Sequence, residues 1–295
     1  MQSPSVTCFA AVIAVVAAVC GGWMARGSTA VPAAVWSAVA SGAFLLEMLS
    51  RASGGLVEPS AAASVRLVVV ALSLCPMMSL LGAKRPQHGV WQFIVASLAV
   101  VLAMPAASAM LIRPGSMPDV HFLQRWFMPV LVAAGLMNFI GTRHGAAAVA
   151  IAAGQAILLR GFLPFAWSTE GAGAGADATA AWLVAGGAFV AIGQSCLWPA
   201  GRCAQGSPAA AAITPPFLAL RETLGAAWTL RIAERFNVVA EARGWPCRLR
   251  FDGLHAGGDP HDHAWHGDAI RTATALLRRF ASPEWLRRHR GDERA

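Results

Sequence analysis

Seven apolar runs, separated by short polar breaks, fill the first two-thirds of the chain: residues 6–24, 30–49, 65–81, 89–112, 126–142, 145–159 and 179–198. A helix crossing the hydrocarbon of a bilayer needs about 20 apolar residues, within a range of roughly 17 to 25. The pattern predicts about seven transmembrane helices, the sixth of them short and alanine-rich. The breaks carry charge or turn formers, such as Arg26-Gly27, Arg51 with Gly54-Gly55, Lys84-Arg85-Pro86, Arg113-Pro114-Gly115 and Arg143-His144. Trp23, Trp91, Trp126, Trp182 and Trp198 all fall at the ends of these runs. Indole rings prefer the headgroup interface, so their placement supports membrane crossing independently of hydropathy.

Beyond residue 202 the pattern changes. Residues 203–216 are small and proline-containing and read as a linker. Phe217, Leu220, Leu224, Trp228, Ile232, Phe236 and Val239 then recur every three or four positions, which predicts one amphipathic helix ending at Gly244. Cys247 to Asp252 alternates apolar and polar as a half-buried strand does. Asp268 can cap a helix bearing Ile270, Ala273, Leu277 and Phe280, and Ser282-Pro283-Glu284 opens another. The expected architecture is an all-α polytopic membrane protein. It has a helical domain over 1–202, a linker over 203–216, and a basic, mostly helical tail over 217–295 with one short strand.

Composition agrees. Charged residues make up 13% of the chain, against about 25% in soluble domains, and mean hydropathy is +0.54. Residues 1–202 hold 10 Lys and Arg with 5 Asp and Glu, whereas 203–295 hold 13 and 10. A net charge of +8 follows from arginines at membrane boundaries and needs no nucleic acid partner. The six cysteines form no CxxC pair, which implies neither a disulfide framework nor a zinc ribbon. The first run lacks a preceding basic residue, so it reads as an uncleaved helix rather than a signal peptide.

Candidate chemistry is sparse. Charge inside a bilayer is costly and therefore a functional suspect. Glu47, near the end of the second run, and Arg66, near the start of the third, reach the same depth across a hairpin. They can pair, reach the interface separately, or move a proton or ion. Gln92, Asn138, Gln155 and Gln194 can hydrogen-bond between helices or line a polar path. His88, His121 and His144 sit at segment ends, where haem ligation is not expected. Arg221, Arg231 and Arg235 flank the apolar face of the tail helix, and Arg278, Arg279, Arg287 and Arg288 form a later basic run. Both sets suit contact with lipid headgroups, or the edge of a small folded tail.

The most chemical-looking stretch is HAGGDPHDHAWHGDA, residues 255–269. Its His261, His263 and His266 follow a His-x-His-x-x-His spacing similar to that of metallo-β-lactamase-like hydrolases. Trp265 stands where that family places an aspartate, and the tail is too short for the fold. A polar loop able to bind zinc or nickel loosely is the expectation, with no cofactor.

The segment around Leu74-Cys75-Pro76, Gly82, Lys84-Arg85-Pro86-Gln87-His88 and Trp91-Gln92-Phe93 resembles a set of bacterial multi-pass membrane proteins without an assigned activity. Tail features such as Trp228, Glu234-Arg235-Phe236-Asn237 and Gly244-Trp245-Pro246 are similar as well. The resemblance implies a membrane protein with a tail, and makes Lys84, Arg85, Gln87 and His88 a candidate functional loop. The expected role is a non-enzymatic component of a bacterial inner membrane, its C-terminus cytoplasmic. Its partners would be the lipid bilayer and, through the tail, another protein. A small-solute transporter is the alternative, and a metal-dependent membrane enzyme using the tail histidines comes third.

Overall fold

The computed structural model describes residues 4–55, 58–83, 88–164, 173–197, 207–257 and 264–290. The apolar runs form α1 (Pro4–Met24), α2 (Val31–Ala52), α3 (Pro59–Leu81), α4 (His88–Leu111), α5 (Phe122–Phe139), α6 (Gly145–Leu159) and α7 (Gly173–Leu197). Six of these helices are long and apolar enough to cross a membrane, the exception being α5. Gln124, Arg125 and Asn138 dilute its 18 residues.

α1 packs on α2 and α7, α2 on α3, α3 on α5 and α6, and α6 on α7, which closes a ring, while α4 lies outside against α3. Small residues set the closest approach. A side chain at Gly154 would meet Val184 Cγ2 at 2.7 Å, and one at Gly187 would meet the Ala147 carbonyl at 2.9 Å. Tight contact of this kind holds membrane helices together where no hydrophobic force acts between them.

The tail folds into α8 (Pro208–Leu224), α9 (Ala226–Ala242), β1 (Cys247–Arg250), β2 (Gly253–Ala256), α10 (His266–Leu277) and α11 (Pro283–Arg290). Three expectations are corrected here. The part of the expected linker over 208–216 is helix, because the Ser207 hydroxyl accepts from Ala210 N and Pro208 opens the first turn before four alanines. The single amphipathic helix is two. Gly225 breaks it at φ +81°, ψ −171°, a conformation open essentially to glycine alone. The single strand is a hairpin, β1 pairing antiparallel with β2 from Cys247–Ala256 to Arg250–Gly253. The second strand escapes the sequence pattern because its outer residues, His255 and Ala256, are exposed.

Phe217, Leu220, Leu224, Phe236, Leu249, Leu277 and Trp285 fill the tail core, and Ala30, Ala33, Leu80 and Ala83 of the bundle belong to the same cluster. The tail is therefore docked on one end of the bundle. Asn138 brackets the α8–α9 turn, donating to Leu224 O and accepting from Ala227 N, both at 3.0 Å. Trp228 Nε1 donates to Leu80 O at 2.7 Å. Thr29 N donates to Phe280 O at 2.8 Å and Ser282 N to Gly27 O at 2.7 Å, which zips the α1–α2 turn to the α10–α11 turn.

Candidate functional site

Between the helices of the ring lies a half-open chamber of about 740 Å³. Its walls come from α1, α2, α3, α5, α6 and α7, its roof from α8 and α11. On α2 the facing residues run from Ala30 to Phe44, a depth of about 21 Å at about 1.5 Å per residue. Alanine dominates the walls, so the short side chains leave the space between the helices unfilled. Several of the polar groups there bond within the bundle. Ser37 Oγ donates to Ala33 O and Ser195 Oγ to Ala191 O, both at 2.9 Å, and Gln155 Nε2 donates to Ser73 O at 2.8 Å. An opening of this size admits water, lipid or a ligand, and the alanine-rich walls suit an apolar occupant.

The two ends of the chamber differ. At the tail end stand Arg143, His144, Glu222, Arg288, His289 and Arg290. Glu222 is buried, at 5% exposure. Its Oε1 accepts from Arg221 Nε at 2.8 Å and Nη2 at 2.5 Å, and its Oε2 accepts from Arg143 N at 3.0 Å. Arg143 Nε donates to His144 Nε2 at 3.4 Å, so the neutral ring carries its proton on Nδ1, facing Gln194 Oε1 at 3.3 Å. Burial, then the charge of Arg143, holds His144 below the ordinary histidine range. His289 stacks on Trp285 at 4.0 Å and shares a hydrogen bond with Trp285 O at 2.8 Å. Burial, with Arg288 and Arg143 nearby, lowers its pKa too.

At the far end, one turn beyond Phe44 and Val69, an ionic network lies beneath the chamber floor. Arg66 Nε donates to Glu47 Oε1 at 2.6 Å and its Nη1 to Asp177 Oδ1 at 2.8 Å. Arg51 reaches Glu47 at 2.9 Å and Asp177 at 3.4 Å. Two arginines meet two carboxylates, and α2, α3 and α7 are tied together. Sequence reasoning singled out Glu47 and Arg66 but not Asp177, which precedes the seventh apolar run, or Arg51. The i,i+4 spacing of Glu47 and Arg51 was the available signal.

Other candidates are placed as follows. Gln92 joins α2, α3 and α4, accepting from Trp36 Nε1 at 2.9 Å and donating to Ser79 Oγ at 3.0 Å. Asn138 holds the tail instead of a neighbouring membrane helix. Arg221 is turned inward, donating to Phe251 O at 2.9 Å with its guanidinium over the Phe251 ring. Arg231 lies over Trp228, and Arg231, Arg235, Arg278, Arg279, Arg287 and Arg288 are exposed. His261, His263, Lys84, Arg85 and Gln87 lie outside the described residues, as does the His88 side chain. His266 opens α10, largely buried and edge-on to Trp265. Among the described residues no three His, Cys, Asp or Glu side chains gather closely enough to hold a metal.

Comparison with protein-family models, with curated proteins and with solved structures gives no match to this chain. The functional reading therefore rests on the chamber and its two ends.

Proposed function

We propose that this chain is a membrane carrier for a small, largely apolar solute, with the chamber as its binding site. The observation that carries the reading is the asymmetry of the chamber. It lies within a ring of helices, is bordered by the tail at one end, and is closed at the other by the Glu47–Arg66–Asp177 network. A neutral, buried set of paired charges is a suitable gate. It exchanges partners without exposing net charge to hydrocarbon, and buried ion pairs contribute little net stability.

The reading includes seven crossings. α4 begins beside the tail, since Trp91 Nε1 donates to Met78 O near the end of α3. α6 begins there too, next to the Glu222 contact of Arg143. α5 must bring the chain back between them, and its 18 residues span about 27 Å, close to the roughly 30 Å of hydrocarbon. We place the tail on the cytoplasmic face of a bacterial inner membrane, with the Arg26 and Arg143 turns beside it. Much of the apolar surface of the tail packs within itself and on its own bundle, which favours the carrier over a tail built to recruit a partner. The exposed arginines of α9, α10 and α11 remain suited to lipid headgroups.

The test is side-specific labelling of Ser37→Cys in a chain whose native cysteines are replaced, reconstituted in vesicles. A membrane-impermeant thiosulfonate should modify it from the tail side only. Adding Glu47→Gln should open the second route and give labelling from the opposite side. No labelling from either side, or equal labelling from both without the second substitution, would sink the carrier.

A further inference from the structure

We infer that the carrier is coupled to protons: Glu47 is the proton-binding group, and the chamber floor opens when Oε2 of its carboxyl takes up a proton. The inference rests on the carrier reading and deepens it by naming the coupled ion.

The two carboxylates of the network are held differently. Asp177 uses both oxygens, Oδ1 accepting from Arg66 Nη1 at 2.8 Å and Oδ2 from Arg51 Nη1 at 3.4 Å. Glu47 uses one. Its Oε1 takes both Arg66 Nε at 2.6 Å and Arg51 Nη2 at 2.9 Å, while Oε2 is buried and accepts no hydrogen bond from the protein. The residue as a whole is 1% exposed. A buried acceptor left unsatisfied costs about 1–3 kcal/mol, and more when it is charged. An ion pair serving stability alone would engage both oxygens, as Asp177 does. The bare oxygen of Glu47 instead offers a lone pair to a proton.

Few charges surround it. α2 supplies Arg51, α3 supplies Arg66 and α7 supplies Asp177. α1, packed on α2 and α7, begins at this end with Thr7 and Cys8 and carries no charged residue. Glu58, Arg113, Asp119, His121, Arg125 and Arg160 belong to the helix ends and turns of the same face. Among the described residues none of them is ion-paired with the network. Glu170 lies outside the described residues. His144 and His289 stand at the opposite end of the chamber.

Opening the floor means parting Arg66 from Glu47. With Glu47 ionised, the separation strands a carboxylate in the bundle, and breaking a buried pair from one side costs about 3–5 kcal/mol. A proton on Oε2 removes that charge. Arg66 then keeps Asp177 as its partner, and Arg51, whose side chain is 35% exposed, turns to the interface. Every remaining charge has a counter-ion or water. The step forms one O–H bond, its proton drawn from water at the face below the floor, and closing the floor returns the proton to water. A proton-rich solution on that face therefore favours a chamber open to it.

The test uses the full chain with Ser37→Cys, its native cysteines replaced, in vesicles with the same buffer on both sides. An impermeant thiosulfonate is applied to one side at a time, and the floor-side rate is divided by the tail-side rate at each pH. The division cancels the pH dependence of thiol reactivity and leaves the balance of floor-open to tail-open chains. One proton taken up on opening changes that balance up to tenfold per pH unit. The ratio should rise at least about tenfold from about pH 8 to about pH 5. Glu47→Gln should hold it high at every pH, and Glu47→Asp, which keeps the acid, should keep the pH dependence. Infrared difference spectra between the two pH values should contain the carbonyl band of one protonated carboxyl more than those of Glu47→Gln.

A ratio that ignores pH in the chain with Glu47, while Glu47→Gln opens the floor, would overturn the proton and leave the carrier standing. A pH dependence that persists in Glu47→Gln would move the proton to Asp177 or to the histidines of the tail end, and overturn the assignment. A floor that opens at no pH and in no variant would overturn the carrier reading itself.

Discussion

Removing one member of the buried network separates a gate from a stabilising pair. In Arg66→Met, Glu47, whose side chain has 0% exposure, and Asp177, at 11%, face each other with only Arg51 at the edge. Breaking a buried ion pair from one side leaves an uncompensated charge and costs about 3–5 kcal/mol, a shift of at least about 100-fold in the unfolding equilibrium. Replacing Glu47, Arg66 and Asp177 together by Leu, Met and Leu removes the three most buried charges and leaves Arg51, whose side chain is 35% exposed, to turn toward the interface. Such replacements are commonly neutral or stabilising by about 1–4 kcal/mol. The triple variant should therefore unfold at or above the native midpoint in a mixed-micelle denaturant titration, and Arg66→Met far below it. The triple variant should nonetheless lose the one-sided labelling of Ser37→Cys, because no ion pair closes the floor. A triple variant less stable than Arg66→Met would refute the reasoning, since the network would then be a net source of stability.

Further outcomes follow from the tail. Gly225→Ala forces a side chain to within 2.2 Å of Asn138 Nδ2 at φ +81°. With about 1–3 kcal/mol of backbone strain and the Asn138 bonds disrupted, docking should weaken by about 3 kcal/mol or more, read as increased proteolysis of the tail. Asn138→Ala should cost about 1–3 kcal/mol with each helix intact by circular dichroism. His144 and His289 titrate below their ordinary value in the folded chain, for which the unfolded reference is about 6.5. The unfolded chain then binds more protons, so stability is full above that pH and falls as pH drops from it toward the lowered folded values. Paired His144→Asn and His289→Asn substitutions should flatten that slope in a denaturation series from about pH 7.5 to 5, and an unchanged slope would contradict the assignment. Cys247 is buried with its thiol pushed up to about 11, so alkylation at mild pH requires the tail to open. Phe236→Ala, from a site at 0% exposure, costs about 3–5 kcal/mol and should raise the alkylation rate at least about 100-fold.

Much of the architecture was legible in the sequence because it is local. Hydropathy over about 20 residues specifies a membrane-crossing helix without reference to any other segment, and α1 to α4, α6 and α7 lie where the apolar runs lie. Ser282 capping α11 is equally local, the Trp285 N–H donating to its hydroxyl at 3.2 Å. Gly225 was visible as a residue but not as a break, since the apolar spacing runs through it and only its left-handed backbone separates α8 from α9. Composition likewise showed a chain apolar enough for membrane-crossing helices, with few charges, each therefore conspicuous.

Tertiary structure decided where those charges meet. Asp177 reads as a loop acid until α7 sets it against Arg66, 111 residues earlier. Asn138 reads as a link between membrane helices until the tail presents the Leu224 carbonyl, 86 residues later. The chamber has no signature in any segment, because an alanine-rich helix can pack tightly or leave space. The choice depends on which six helices close the ring and on the tail that covers one end. Hydrophobic periodicity is a property of neighbours along the chain. A cavity and a buried ionic network are properties of residues brought together from across it.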